Sequence, residues 1–129
     1  MTAAQFIGKT LINTSAVTLI ASAKSIFHGL RPGDIQGNVL PCINFYKVSG
    51  DTFTLDGEVY SINCRARTIE VAMALSKIVK QALCGINNVG TYGSDIGFDA
   101  SRISLVSDHG VIPETETCVF NAPVDIRIV

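Results

Sequence analysis

The sequence feature that most constrains the fold is a change of apolar spacing at Thr68. Before it, apolar residues occupy every second position from Tyr60 to Ala66, which is typical of a strand with one buried face. After it, apolar residues recur at spacings of three and four from Val71 to Leu83, which is typical of an amphipathic helix. The sequence therefore predicts a strand that runs directly into a helix and is buried beneath it.

The ends of this helix are also encoded. Thr68 is a suitable N-cap, and Glu70 complements the positive helix start. Lys77 and Lys80 complement the negative end, and Gly85 is placed to close the helix. On the preceding strand, the polar side is predicted to face water, and it consists of Ser61, Asn63, Arg65 and Arg67.

The flanking segments predict further helices and strands. An opening amphipathic helix should bury Ala3, Phe6, Ile7 and Leu11 and end at Asn13. A second short helix, AVTLIAS, should be capped by the hydroxyl of Thr14 or Ser15. Strands are predicted in SIFHGL, CINFYKVSG, RISLVSD and CVFNAPVDIRIV, with a hairpin turn at Asp56-Gly57 and a turn in DHGVIPETE.

Two further features concern the last strand and the loops. Pro123 cannot donate a ladder hydrogen bond, so we expect a sheet edge or a bulge there. RPGDIQGNVLP and residues 86–100 are rich in Gly, Asn and Asp, and both predict long loops.

Length and composition limit the classes of protein that this chain can represent. A chain of 129 residues suffices for one domain with a hydrophobic core, so we expect residues 1–129 to form a single domain. It has no uncharged apolar run of roughly 18 residues, and we expect no membrane partner. MTAAQFIGKT lacks the pattern of a secretory signal, which predicts folding in a cytoplasm. Ten Lys and Arg against eleven Asp and Glu weaken any proposal of a phosphate backbone as the main partner.

No constellation of residues predicts catalysis, a metal or a cofactor. The four cysteines, Cys42, Cys64, Cys84 and Cys118, lack zinc-site spacing and are predicted to be reduced and mostly buried. Gly8-Lys9-Thr10 lacks the rest of a phosphate-binding loop. Adjacent Asp108 and His109 are predicted to point apart, with His109 a turn residue. Asp95 and Asp99 lack the ligand pattern of a calcium loop.

Arg65 and Arg67 have two open interpretations. In the first, they pair with acids on neighbouring strands, such as Glu58 or Asp125, on a solvated sheet face. In the second, they form a contact surface, because the planar guanidinium makes several directional hydrogen bonds and tolerates partial burial. The partners considered for such a surface are a nucleic acid, a substrate and another copy of the protein.

Taken in order, the segments resemble the small tail-completion proteins of tailed bacteriophages, the family that includes tail terminators and head-to-tail joining proteins. The resemblance covers almost the whole chain and rests on the order of its parts. These are a short helical start, IFHGLRP, LPCINFYKVSG, DGEVYSINCRART leading into EVAMALSKIVKQALCG, and a last strand ending PVDIRIV.

The resemblance implies an α+β protomer in which helices pack on a mostly antiparallel sheet, and a homo-oligomeric ring that is commonly a hexamer. Such a ring caps the tail tube at full length, stops tube polymerisation and joins the tail to the head or neck. Its partners are the tail tube protein and a head-completion or neck protein, and DNA passes through the channel without sequence-specific binding. The implied location is the virion tail or neck, after assembly in the host cytoplasm, and no catalysis is implied.

Within this hypothesis, the loops at residues 31–38 and 86–100 and the arginine-bearing strand are predicted to form subunit or neck contacts. The candidate interface residues are Arg31, Asp34, Gln36, Asn38, Glu58, Arg65, Arg67, Tyr92, Asp95 and Asp99. Three alternatives stay open: another head-tail connector or neck protein, a small nucleic-acid-binding α+β module, and a small enzyme.

Overall fold

The computed structural model describes residues 3–29, 40–50, 57–84, 103–114 and 119–129. The helices are α1 (Ala3–Asn13), α2 (Ser15–Thr18) and α3 (Ile69–Leu83), with a 3₁₀ turn at Ala23–Ser25. The strands are β1 (Ile26–His28), β2 (Cys42–Gly50), β3 (Glu58–Ala66), β4 (Ile103–Asp108), β5 (Ile112–Glu114) and β6 (Val119–Ile128).

The strands form one six-stranded sheet in the order β1-β2-β3-β6-β4, and β5 also pairs with β6. β1 runs parallel to β2, and all other pairs are antiparallel. Helices α1 and α3 pack on one face of this sheet, and their buried residues join those of the strands in one hydrophobic core. The predicted α+β class, with helices on a mostly antiparallel sheet in a single domain, is confirmed.

Helix α3 begins where the sequence predicts. Thr68 is extended, and its side chain accepts a hydrogen bond from the Val71 backbone N–H at 3.3 Å. The helix buries Ala72, Leu75, Val79 and Leu83 mainly against β3 and β6. Full burial of each large aliphatic side chain contributes about 1.5–3 kcal/mol, so this stripe fixes the helix on the sheet.

The N-terminal helices follow the prediction in place but not in every detail. Helix α1 buries the predicted Ala3, Phe6, Ile7 and Leu11. Helix α2 has only four residues, and no side chain caps it. The Thr14 hydroxyl instead donates to the Thr10 carbonyl oxygen at 2.7 Å, because a threonine at the end of one helix can bond back to the preceding turn.

The predicted alternation of β3 is confirmed on its helix side, where Tyr60, Ile62, Cys64 and Ala66 are buried. The predicted exposure of the other side is wrong for Ser61 and Asn63, which are 7% and 8% exposed. β3 has β2 on one side and β6 on the other. Short polar side chains in a central strand are covered by their cross-strand neighbours, so a polar residue there need not be exposed.

β4 and β5 together form an interrupted edge strand, and only β4 was predicted. β3 occupies one side of β6 from Phe120 to Ile128, so β4 and β5 both pair with its other side. β5 lies within the segment predicted as a turn, DHGVIPETE. It was missed because Ile112–Glu114 is too short to show alternation.

For Pro123, the sequence predicted a sheet edge or a bulge, and the residue is not at a sheet edge, because β6 is paired on both sides. It lies opposite the interruption between β4 and β5, where its carbonyl oxygen accepts from the His109 N–H at 3.2 Å. The N and carbonyl of one strand residue point to the same side, so the missing N–H of Pro123 faces this gap in the ladder. The edge formed by β4 and β5 is therefore interrupted at the residue of β6 that has no backbone N–H to donate.

Two strands carry bulges. The β2–β3 register shifts between Lys47 and Ser49, and the β4–β6 register shifts between Leu105 and Ser107. The residues between them, Val48 and Val106, are 55% and 45% exposed. β1 pairs with β2 only as far as Phe45, so both bulges lie on segments whose outer side has no partner among the described strands.

Candidate assembly surfaces

The helix-free face of the sheet carries an ion pair between β3 and β5. Both Glu114 carboxylate oxygens accept hydrogen bonds from the Arg65 guanidinium. Arg65 lies opposite Asn121 and Glu114 opposite Val119, so the pair passes over β6. One guanidinium nitrogen, Nη2, makes both contacts. The two side chains are 14% and 26% exposed, and hydrogen bonds between charged groups are stronger than those between neutral ones.

A second polar group lies at the interruption of the edge strand. The Ser107 hydroxyl donates to Asp125 Oδ2 at 3.1 Å, and His109 Nε2 lies 3.0 Å from the same oxygen. Burial by itself raises the Asp125 pKa, but hydrogen bonds from His109, Ser61 and Ser107 outweigh it, and the pKa is lowered. Asp125 is thus held as a carboxylate.

This group does not form a catalytic triad, although it contains Ser, His and Asp. In a triad, the two ring nitrogens of histidine bridge the carboxylate and the hydroxyl. Here, His109 Nε2 faces both Ser107, at 3.1 Å, and Asp125, and the serine donates directly to the carboxylate. The histidine therefore does not bridge the serine and the carboxylate as it does in a triad, and the three side chains link β4 to β6 at the strand junction.

Asp108 and His109 point apart, as predicted. Asp108 pairs with Lys80 of α3 and accepts from the Gly110 N–H. The hydrogen bond from Lys80, and then that from Gly110, lower the Asp108 pKa. His109 instead contacts Asp125.

Three asparagines line the helix-free face on β2, β3 and β6. The Asn121 amide donates to Asn63 Oδ1 at 3.0 Å, and the Asn44 amide donates to the Gly29 carbonyl oxygen at 3.2 Å. Asn44 Oδ1 and Asn121 Oδ1 are buried without a hydrogen-bond partner, as is Arg65 Nε. Unpaired buried polar atoms are destabilising, and these three atoms make no hydrogen bond among the described residues.

Two apolar surfaces lie at the opposite edges of the sheet. We define the α1–β1 edge as Gly8, Lys9, Ile12, Phe27 and His28, which line a depression of about 350 Å³ floored by Phe45. The His28 ring stacks on Phe45, with centroids 5.3 Å apart. A Cβ on Gly8 would lie 3.3 Å from Phe45 Cζ, so glycine there allows α1 to lie close to the strand.

We define the β4–β5 edge as Leu105, Val106, Asp108, Ile112 and Glu114. Its three apolar side chains are 45–47% exposed. Leu105 lies opposite Ile126 on the helix side, and Ile112 lies opposite Asn121 on the helix-free side. Apolar surface is therefore available on both faces of this edge.

A second groove, of about 460 Å³, separates the β4–β5 edge from α3. Exposed Ile69 and Met73 line it on the helix, and Val111 lines it on the strand side. The Lys80–Asp108 ion pair crosses it. Apolar surface bordered by paired charges is typical of protein contact surfaces.

Of the ten predicted interface residues, the structure describes three. Arg65 pairs with an acid, as one interpretation expected, but the acid is Glu114 and not Glu58 or Asp125. Glu58 lies on the helix side of β3, because it is an even number of residues from buried Tyr60, and it contacts Lys47 at 3.7 Å. Arg67 is exposed beyond the end of β3. The others lie outside the described residues: Arg31, Asp34, Gln36, Asn38, Tyr92, Asp95 and Asp99.

The predictions about thiols, metals and membranes have these outcomes. Cys42 and Cys64 are buried, Cys84 is half-buried, and Cys118 lies outside the described ranges. Burial raises the pKa of the Cys64 and Cys84 thiols.

In the described part of the chain, no three His, Cys, Asp or Glu side chains converge as metal ligands. None of the described helices has the length and apolar character needed to cross a bilayer.

Comparison with solved structures gives the fold a counterpart. This fold occurs in a virion. A chain in the structure described as the virion of a native gene transfer agent (GTA) particle matches with a TM-score of 0.69 and 11% sequence identity. The likeness covers 96% of this chain and 91% of that chain. No family model and no curated protein matches the sequence.

Sequence reasoning missed the surfaces at the two sheet edges. Leu105 and Val106 belong to a predicted strand. That this strand, β4, lies at the edge follows from the order of strands, which the sequence of β4 does not reveal. Ile112 and Glu114 were assigned to a turn. The absence of acids before Asp34 was the one signal available for the α1–β1 edge.

Proposed function

We propose that this chain is a structural virion protein that forms a ring at the head-proximal end of a tail tube. In this role it stops tube polymerisation and joins the tail to the head or neck. The observation that carries the proposal is the likeness, over 96% of the chain, to a chain of a virion particle. The order of segments, which resembles tail-completion proteins, supports the finer assignment as a tail terminator.

The polar groups that the structure describes favour an assembling protein over an enzyme. The Ser107, His109 and Asp125 group lacks the connectivity of a nucleophile and base. Both grooves open at sheet edges and are lined mainly by apolar side chains. Such surfaces suit contacts with other protein chains.

The charges of this chain support the proposal that DNA passes through the ring without being bound by it. Arg65, on the helix-free face, is neutralised by Glu114. The formal net charge is −1. Because each neutralised phosphate adds affinity, a surface without excess cations allows DNA transit and counts against a nucleic-acid-binding module.

The proposed partners are further copies of this chain in a ring, commonly a hexamer, together with a tail tube protein and a head-completion or neck protein. The loops at residues 31–38 and 86–100 remain proposed subunit or neck contacts. The proposed location is the tail or neck of the virion, reached after assembly in the host cytoplasm.

Deletion of the gene tests this function most sharply. We expect tails that exceed the normal length and do not join heads, measured by negative-stain electron microscopy of lysates. Tails of normal length that fail to join heads would favour the alternative, another connector or neck protein. Normal, infectious particles would contradict both assignments.

Imaging of purified protein is the second test. Native mass spectrometry should show a closed oligomer, and electron microscopy of tail tubes mixed with the protein should show added density at one end. A chain that stays monomeric at high concentration and leaves tube ends bare would contradict the proposal.

A further inference from the structure

The α1–β1 edge and the β4–β5 edge point in opposite directions. Among the described strands, β1 ends the sheet on one side, and β4 with β5 ends it on the other, with β2, β3 and β6 between them. A contact that joins one edge of a copy to the opposite edge of the next leaves an edge available at each end. Such a heterologous contact repeats and closes into a ring if the rotation allows it.

The shapes and polarities of the two edges are complementary. The α1–β1 edge presents a depression, with Ile12 40% exposed at its rim and the Phe27 and Phe45 rings within it. The β4–β5 edge presents projecting apolar side chains, of which Leu105 and Ile112 are 46% and 47% exposed. Inserting the projecting groups into the depression would remove apolar surface of both from water.

The charges of the two edges are also complementary. Residues 3–29, which build the α1–β1 edge, contain Lys9 and Lys24 and no acid. Residues 103–114, which build the other, contain Asp108 and Glu114 and no lysine or arginine. Glu114 is paired with Arg65, so Asp108 is the acid of this edge that can meet a partner's cation. The Asp108 side chain pairs with Lys80 but keeps 35% exposure, so its carboxylate stays within reach of a partner's cation.

We propose that the α1–β1 edge of one copy receives the β4–β5 edge of the next copy, and that this contact builds the ring. The inference rests on the proposed function and names the surfaces that it requires. Charge favours this pairing over a symmetric one, because two α1–β1 edges facing each other would bring lysines together, and like charges disfavour the wrong partner.

The contact is made by side chains rather than by an added strand. The bulge at Val106 interrupts the regular ladder of β4, and β1 has only three residues. Bulged and short edge strands resist pairing with another chain. The depression beside α1 and the projecting side chains of β4 and β5 therefore supply the affinity.

Complementary variants test the proposal. Ile12→Arg blocks the α1–β1 edge, and Ile112→Arg blocks the β4–β5 edge. For each variant alone, we expect the concentration at half assembly to rise at least about tenfold, since losing a central apolar contact typically removes 1.4 kcal/mol or more. Sedimentation velocity and native mass spectrometry measure this.

Mixing the two variants gives the diagnostic result. Each retains the edge that the other lacks, so the mixture should form a heterodimer and nothing larger, while each variant alone stays monomeric at the same total concentration. The heterodimer should be weaker than the wild-type ring, because ring closure adds intramolecular contacts. Failure of the mixture to associate, or homodimers of either variant, would overturn the proposal.

Controls separate this inference from the proposed function. Leu19→Arg places the same charge at an apolar residue that is 86% exposed on the turn after α2, and it should assemble like the wild type. Thermal unfolding checks that all three variants fold. If Ile12→Arg and Ile112→Arg still form the wild-type ring, this contact is wrong and the ring stands; a monomeric wild type overturns both.

Discussion

At the scale of single residues, the Arg65–Glu114 pair joins β3 to β5 over the intervening β6. β5 pairs with β6 through backbone hydrogen bonds, and the Arg65–Glu114 contact also joins β5 to β3. Because both side chains are mostly buried, losing one partner leaves a poorly solvated charge on the other. The pair thus holds the interrupted edge strand in place.

Replacing Arg65 with alanine should lower the free energy of unfolding by about 1–3 kcal/mol, the usual cost of leaving a partly buried charged group without its partner. Urea denaturation at neutral pH measures the change. Arg127→Ala, at an exposed position of β6, is the matched control and should change stability by less than about 0.5 kcal/mol. Equal effects of the two substitutions would contradict this account of Arg65.

Asp125 gives stability a defined pH dependence. Its pKa is lowered in the folded chain, so its hydrogen bonds stabilise the fold fully above the unfolded pKa of about 3.9. This contribution is lost as the pH falls through the folded value. The stability difference between wild type and Asp125→Asn should therefore shrink on acidification, measured by urea midpoints from neutral to acidic pH. Ser104→Ala, at a half-buried position of β4, is the control, and its difference should not follow pH.

At the scale of elements, the start and the buried stripe of α3 were readable from the sequence and β5 was not; the predicted closing residue of α3, Gly85, lies outside the described residues. Fifteen residues give four turns of apolar period and a recognisable N-cap, so local sequence determines the helix. Three residues of β5 give no period, and they form a strand because Arg65 and β6 hold them. Ser61 and Asn63 are buried because β3 lies between β2 and β6, and this order of strands could not be predicted from the sequence.

The N-cap of α3 can be tested directly. Thr68→Ala should destabilise the protein by about 1 kcal/mol, because the Val71 N–H loses its side-chain acceptor. Thr68→Ser keeps the hydroxyl and should retain most of the stability. Thermal unfolding of the pair checks the prediction, which fails if serine is as damaging as alanine.

The bulge in β4 predicts an effect of deletion. Removing Val106 would let Leu105 and Ser107 follow one another in regular register with Ile126 and Asp125, which gives a flat edge with a continuous row of unpaired backbone groups. Such edges pair with other chains. The deletion should therefore increase aggregation, measured by light scattering at constant temperature. Val106→Thr, which keeps the bulge, should remain as soluble as the wild type.

At the scale of the whole molecule, the sequence predicted the layer of helices on a sheet but not which strands lie at the edges. Periodicity reports which face of a strand is buried, whereas edge position depends on the order of strands, which is set by long-range pairing. For the candidate site too, a local feature was predicted and a long-range contact was not. Arg65 was recognised as a contact residue from its type, but its partner, Glu114, is 49 residues away in a segment without a visible pattern.

The whole-molecule charge predicts weak binding to nucleic acid. With net charge −1 and Arg65 paired with Glu114, the protein should bind duplex DNA only weakly, even at about 50 mM salt, where phosphate contacts are strong. Fluorescence anisotropy measures this affinity. Arg65→Ala should leave this result unchanged. Tight binding that is lost in Arg65→Ala would revive the nucleic-acid-binding alternative.

Because Cys64 is buried on β3, the reactivity of its thiol reports on the unfolding of this strand. Its thiol is 0% exposed and its pKa is raised by burial, so a thiolate-specific reagent cannot reach it in the folded protein. Alkylation of this residue therefore records how often β3 separates from its neighbours. Such labelling requires no purified protein, so the opening of the sheet can be timed in a lysate, before and after the chain meets its partners.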